Sequence, residues 1–210
     1  MRKRKAMLMF MGGAVLVTFL LVAGWAGLAQ EPPELPKAEI GAKLPEFTMT
    51  DHTGKEHSLS AYAGKVVVLN FSSQECPYSR GVDPHLADLA KEYKDKGVVV
   101  LCIDSHNKTT VDEIKKYAED HSLPFPILKD EKNVYADAVG ATRTPEFYVL
   151  DKEQKLVYHG PFDDRKDPAK RGETEYLRNA LDKTLAGEDI VPSQVKAWGC
   201  TIKRVPKTAD

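Results

Sequence analysis

The stretch that decides the fold is "KVVVLNFSSQECPYSR", residues 65–80. Its first half, "KVVVLNF" (65–71), is a short, continuously apolar and β-branched run, the pattern of a strand buried on both faces. Its second half places Cys76 directly before Pro77. Proline is at home in the first turn of a helix, so the cysteine sits where a buried strand hands over to a helical turn. The free backbone N–H groups of such a turn point at the sulfur, and their partial positive charge favours thiolate over thiol. Ser79 can donate a hydrogen bond to that sulfur, and Arg80 can lie over the same turn and add a full charge. On these residues alone, the other reading is an inert cysteine at a strand end.

Working outward, "FTMTDHTGKEHSL" (47–59) alternates around Thr53-Gly54 and predicts a hairpin. "DPHLADLAKEYKDKG" predicts a helix with Asp83 as cap, Pro84 at its first position and Gly97 at its end. "VVVLCID" (98–104) is a second buried strand, with Cys102 as a small core residue. "TTVDEIKKYAEDHS" (109–122) is a helix with Thr110 and Glu113 in capping-box spacing. A short strand (125–130), a short helix stopped by Gly140, and a hairpin of "TPEFYVLD" (144–151) with "KLVYHG" (155–160) follow. An amphipathic helix over 173–188 closes the domain. The order β-α-β-α-β-β-α describes an α/β fold, a mixed sheet with helices on both faces.

The chain has 210 residues and a net charge of −1. Four of its basic residues are Arg2-Lys3-Arg4-Lys5, followed by an uncharged, mostly apolar run from Ala6 to Ala29. That is an export signal or an N-terminal membrane anchor, and both place the remainder outside the cytoplasm because the positive flank stays inside. The expected organisation is therefore a signal or anchor (1–29), a Pro- and Glu-rich linker (30–40), one domain (41–188) and a tail (189–210) carrying Cys200. Without its first 29 residues the chain is acidic, which argues against a nucleic-acid partner. Three cysteines permit at most one internal pair. The six histidines offer no tight ligand spacing, so no metal and no cofactor is expected. His159, at a strand end, is the one histidine expected near the site; Asp104, Asp163 and Asp164 read as solvated loop charges.

Strand, Cys76-Pro77-Tyr78-Ser79, Pro84 eight residues after the cysteine, and Thr144-Pro145 before a strand together resemble the thioredoxin fold. The resemblance implies that Pro145 is cis and faces the sulfur, and that Pro84 lies within a helix. Within that fold the chain is most similar to the AhpC/TSA, peroxiredoxin-like redoxins, through "GAKLPEFTMTDHTGKEHSL", "VVVLNFSSQECPYS", "FPILKDEKNVYADAVGATRTPEFYVLD" and "GCTIKR". Two departures stand out. Ser73 matches the peroxide-binding hydroxyl of peroxiredoxins, but Leu69 stands where their proline belongs, and Arg143 is an imperfect match to their arginine. Ser79 replaces the second cysteine of a thioredoxin motif.

The resemblance implies an exported thiol-dependent oxidoreductase in which Cys76 attacks a peroxide or a disulfide, with Ser73, Ser79, Arg80, Thr144, Pro145 and Arg143 stabilising the thiolate or orienting the oxidant. The sequence around Cys200 suggests a tail that folds back: Gly199 permits a turn, Trp198 can anchor it, and Lys203 and Arg204 favour a thiolate. Cys200 is then the expected resolving partner, with an external thiol as the alternative; a free or intermolecular Cys200 is the other reading. Thiol–disulfide exchange with other exported proteins is the second functional expectation, and a non-catalytic redox sensor or binding module the third. An external thiol reductant is the implied partner, and the membrane a further one if the N-terminal segment is retained.

Overall fold

The computed structural model describes residues 38–206. The expected signal or anchor and most of the expected linker lie outside the described residues. Among the described residues no helix is long and apolar enough to cross a membrane.

The 47–59 hairpin forms as β1 (Thr48–Thr50) and β2 (Glu56–Ser58). β3 (Val66–Ser72) is buried at every position, as its composition requires. α1 (Pro77–Lys94) leads to β4 (Val98–Asp104), parallel to β3, and α2 (Val111–Asp120) leads to β5 (Ile127–Lys129), parallel to β4. The α2 capping box forms, with the Thr110 side chain accepting from the Glu113 N–H and the Glu113 carboxylate accepting from Thr110. After α3 (Val134–Val139), Gly140 takes a left-handed conformation that ends the helix. β6 (Arg143–Thr144), β7 (Glu146–Leu150), β8 (Leu156–Gly160), α4 (Tyr176–Ala186) and β9 (Cys200–Thr201) complete the chain.

The central sheet runs β5-β4-β3-β7-β8, with β7 antiparallel to β3 and β8 antiparallel to β7. Because side chains alternate along a strand, β3 feeds two cores. Val66 and Val68 pack with Leu86 and Leu89 of α1, Ile114 of α2 and Leu177 and Leu181 of α4. Val67, Leu69 and Phe71 pack on the other face with Phe47, Leu59, Tyr135 and Val139. This is the expected mixed sheet with helices on both faces.

Three expectations need correction. The first helix starts at Pro77 with Cys76 as its N-cap, not at Pro84 with Asp83 as its cap. Pro84 lies inside the helix, and the Asp83 carboxylate is buried, accepting the Tyr117 hydroxyl at 2.7 Å. The strand expected at 144–151 divides at Pro145, which has no N–H for a ladder. Asp104 and Asp163 are not solvated. Asp104 is buried against Lys129, and Asp163 forms an ion pair with Arg165 in which both side chains are fully buried. Only Asp164 is solvent-facing, where it accepts from the Glu173 and Thr174 backbone.

Candidate functional site

The turn that carries Cys76 is fixed by backbone bonds. The Cys76 N–H donates to the Ser73 carbonyl at 2.9 Å, the Ser73 hydroxyl accepts the Glu75 N–H, and the Cys76 carbonyl accepts the first helical bond from Arg80 N–H at 3.0 Å. Pro77 at the first helical position gives up a donor that would have no partner there. Cys76 is only 2 % exposed.

Opposite the sulfur stands Thr144, followed by a cis Thr144-Pro145 bond. The Cys76 thiol donates to the Thr144 carbonyl at 2.9 Å. β9 then pairs antiparallel with β6, setting Cys200 against Thr144 and Thr201 against Arg143. The tail thus brings Cys200 to the site, where it lines one cavity with Cys76 and Thr144. Gly199 makes the approach possible: its φ is +129°, and a Cβ there would stand 2.3 Å from the Thr144 oxygen. Trp198 packs edge-on against Tyr78, with ring centroids 5.0 Å apart.

The two thiols differ in acidity. Burial alone raises the Cys76 pKa, but hydrogen bonds from the Cys200 thiol, the Thr144 side chain and the backbone N–H groups of Ser79 and Cys200 outweigh it, and the pKa falls below the ordinary 9.0. Cys200 is pushed up to about 11 by burial, by its hydrogen bond to Cys76 and by that sulfur's charge, against which Lys203 acts weakly. The expectation that Lys203 and Arg204 favour a Cys200 thiolate is therefore corrected. Lys203 works in that direction and is outweighed, while Arg204 is engaged with Asp137 and the Ala141 carbonyl.

The other expected site residues are placed as follows. Ser79 reaches the sulfur through its backbone N–H, and its hydroxyl accepts from Ser73 N–H at 3.3 Å. The Arg80 guanidinium donates to the Gln74 carbonyl at 2.8 Å, and Arg143 donates to the Thr201 hydroxyl at 2.9 Å. Cys102 is buried, accepts a 3.5 Å contact from Asn70 and has its pKa raised by burial, so it is an inert core thiol. A cavity of about 250 Å³ opens on Ser73, Glu75, Cys76, His106, Thr144, Cys200 and Lys203.

Glu146 went unnoticed in the sequence. Its buried carboxylate accepts the Thr142 and Arg143 N–H groups at 2.8 and 2.7 Å, pinning the loop that presents Thr144. Burial would raise its pKa, but its bond to His159 at 2.7 Å and the two N–H donors hold it below the usual range. His159 thus acts on the site through Glu146. The only signal was an acid directly after Pro145, next to a buried strand.

The AhpC/TSA family model matches residues 40–159. The thiol-disulfide oxidoreductase ResA of Geobacillus kaustophilus is 30 % identical over 153 residues, covering 73 % of this chain and 87 % of the relative. Among solved structures, an uncharacterized conserved protein from Geobacillus kaustophilus aligns with a TM-score of 0.76 and 32 % identity, over 81 % of this chain and 94 % of that one. A hypothetical protein from Sinorhizobium meliloti 1021 aligns with a TM-score of 0.75 and 31 % identity, over 81 % and 97 % of the two chains. With a family match over residues 40–159, a relative at 30 % identity and a thioredoxin-like sheet, the chain belongs to the AhpC/TSA family and is a thiol-based oxidoreductase.

Proposed function

We propose that the chain is an exported thiol–disulfide oxidoreductase that cycles Cys76 and Cys200 between dithiol and disulfide. The observation that carries this reading is the pairing of β9 with β6, which sets Cys200 against the same Thr144 whose carbonyl accepts the Cys76 thiol at 2.9 Å, so that both cysteines line one cavity. Cys76 attacks a substrate disulfide, and Cys200 then attacks the mixed disulfide. The relatives named as thiol-disulfide oxidoreductases support the same chemistry. Thr144 and Ser79 hold the thiolate. Export rests on the basic flank Arg2–Lys5 and the apolar run to Ala29, which as an uncleaved segment would also anchor the domain to the membrane.

Peroxide is the second reading, favoured by a cavity at the sulfur of a size for small oxidants. Against it, the two arginines expected to orient a peroxide are turned away, Arg80 to the Gln74 carbonyl and Arg143 to the Thr201 hydroxyl. Stopped-flow oxidation of the reduced protein separates them. We expect a low-molecular-weight disulfide to oxidise it to the 76–200 disulfide, and hydrogen peroxide to react no faster than with a free cysteine thiolate. A peroxide rate orders of magnitude above that reference would reverse the assignment.

A further inference from the structure

Only one residue of the segment Trp198–Arg204 is needed for thiol chemistry, yet the whole segment is fastened over the site. Ahead of Cys200, Trp198 lies on Tyr78 and the Gly199 backbone presses against Thr144. Behind it, the Ile202 N–H donates to the Thr142 carbonyl at 3.1 Å and its side chain is buried. The Lys203 and Arg204 carbonyls accept from the Asn107 backbone and side-chain amides at 2.9 and 2.8 Å, and the Arg204 guanidinium pairs with Asp137 at 2.7 Å. The segment is a strap held on both sides of the reactive sulfur.

The strap has two consequences for an incoming disulfide. It fills the free edge of β6, where Thr144 faces Cys200, so no second polypeptide can pair with the backbone beside Cys76. It also leaves Cys76, 2 % exposed as a residue, on the wall of a cavity of about 250 Å³. That is slightly less than the roughly 300–1,000 Å³ of a pocket for a drug-sized ligand. A protein disulfide brings two flanking backbones with it; a small disulfide does not.

We propose that the strap Trp198–Arg204 makes this site selective for low-molecular-weight disulfides and excludes protein disulfides, an inference that rests on the thiol–disulfide reading above. The Cys76 thiolate attacks one sulfur of RS–SR. A Cys76–S–S–R bond forms, the RS–SR bond breaks, and RS⁻ leaves and takes a proton from solvent. Cys200 then gives up its proton and attacks the Cys76 sulfur. The 76–200 bond forms as the second RS⁻ departs with that proton, so two electrons have passed from the cysteine pair to the substrate. An external dithiol, oxidised to its own disulfide, restores the pair.

The test is single-turnover oxidation of the reduced full-length chain, in detergent, by cystine and by the interchain disulfides of insulin. Each rate is divided by that of dithiothreitol with the same disulfide. The normalised cystine rate is expected to exceed the insulin rate at least about tenfold, because misplacing reacting atoms by an ångström costs about a hundredfold. Trp198→Ala, which frees one end of the strap, is expected to raise the ratio of the insulin rate to the cystine rate at least about tenfold, whatever common change the two rates share. Equal normalised rates in the unaltered protein would overturn the selectivity while leaving thiol–disulfide exchange intact. Discrimination that Trp198→Ala leaves unchanged would overturn the strap's part in it. Inertness towards both disulfides would instead defeat the thiol–disulfide reading and this inference with it.

Discussion

Cys200 stands opposite Thr144 across the β9–β6 pair, and the Cys76 thiol donates to the Thr144 carbonyl at 2.9 Å, an arrangement in which the Cys76 pKa is lowered and the Cys200 pKa raised. A donor stabilises the thiolate it points at, while a proton shared with a neighbouring anion is harder to remove. The two sulfurs therefore titrate as a pair, Cys76 first.

Thiolate absorbance against pH should show a first midpoint below 9 and a second near 11. Cys200→Ala removes the strongest donor, so burial acts with less opposition and the Cys76 midpoint should move upward. An unchanged midpoint would show that the backbone N–H groups alone set the acidity.

Gly199→Ala should slow formation of the 76–200 disulfide by about ten- to a hundredfold, because a methyl group 2.3 Å from the Thr144 oxygen forces β9 away from β6. The first attack by Cys76, compared at equal thiolate fraction, should be nearly unaffected. Rapid quenching with a thiol-alkylating reagent, followed by mass spectrometry, distinguishes the two steps. Equal loss in both would point to general misfolding instead.

Asp83 is a buried acid whose pKa is raised to about 6 by burial, against the opposing effects of Tyr117, His121 and Arg80. A folded-state pKa above the unfolded value means that the native state holds the proton more tightly, so stability falls as pH rises from about 4 to about 6. Asp83→Asn should accordingly stabilise the fold at pH 8, by on the order of 2 kcal/mol, and have little effect at pH 4. Thermal unfolding at the two pH values checks this; equal shifts at both would remove the titration from the explanation.

Arg165→Met leaves the fully buried Asp163 carboxylate without its cation and frees the Gly81 carbonyl that Arg165 also binds. The expected loss is about 3–5 kcal/mol, because the stranded charge keeps its desolvation cost. The double variant Asp163→Asn/Arg165→Met should recover part of it. A single variant as stable as the parent would show that water reaches the carboxylate.

Much of this protein was legible before folding. The unbroken apolar run Val66–Leu69 announces a doubly buried strand, and Thr110 with Glu113 announces a capped helix, because strand burial and capping depend on neighbours within a few residues. Cys76 before Pro77 placed a thiol at the start of a helix for the same reason. Helix α1 was misjudged at its start: Asp83 is a good cap in isolation, but its carboxylate is used by Tyr117, 34 residues away. Asp163 looked solvated until Arg165 and the Gly172 N–H closed around it.

The sequence by itself determined a mixed α/β sheet with a thiol at the end of its central strand, since both follow from local patterning and from the exposed N–H groups of one helical turn. The tertiary structure alone decided in which direction each thiol's acidity moves and what covers the pair. Those properties depend on Thr144, whose carbonyl takes the Cys76 thiol, on Glu146, which pins the loop before Thr144, and on Cys200, which β9 brings in by pairing with β6; the three lie 68, 70 and 124 residues from Cys76. Hydrogen bonding and desolvation act over a few ångströms, so no periodicity along the chain can encode them; the folded sheet brings the groups within that range.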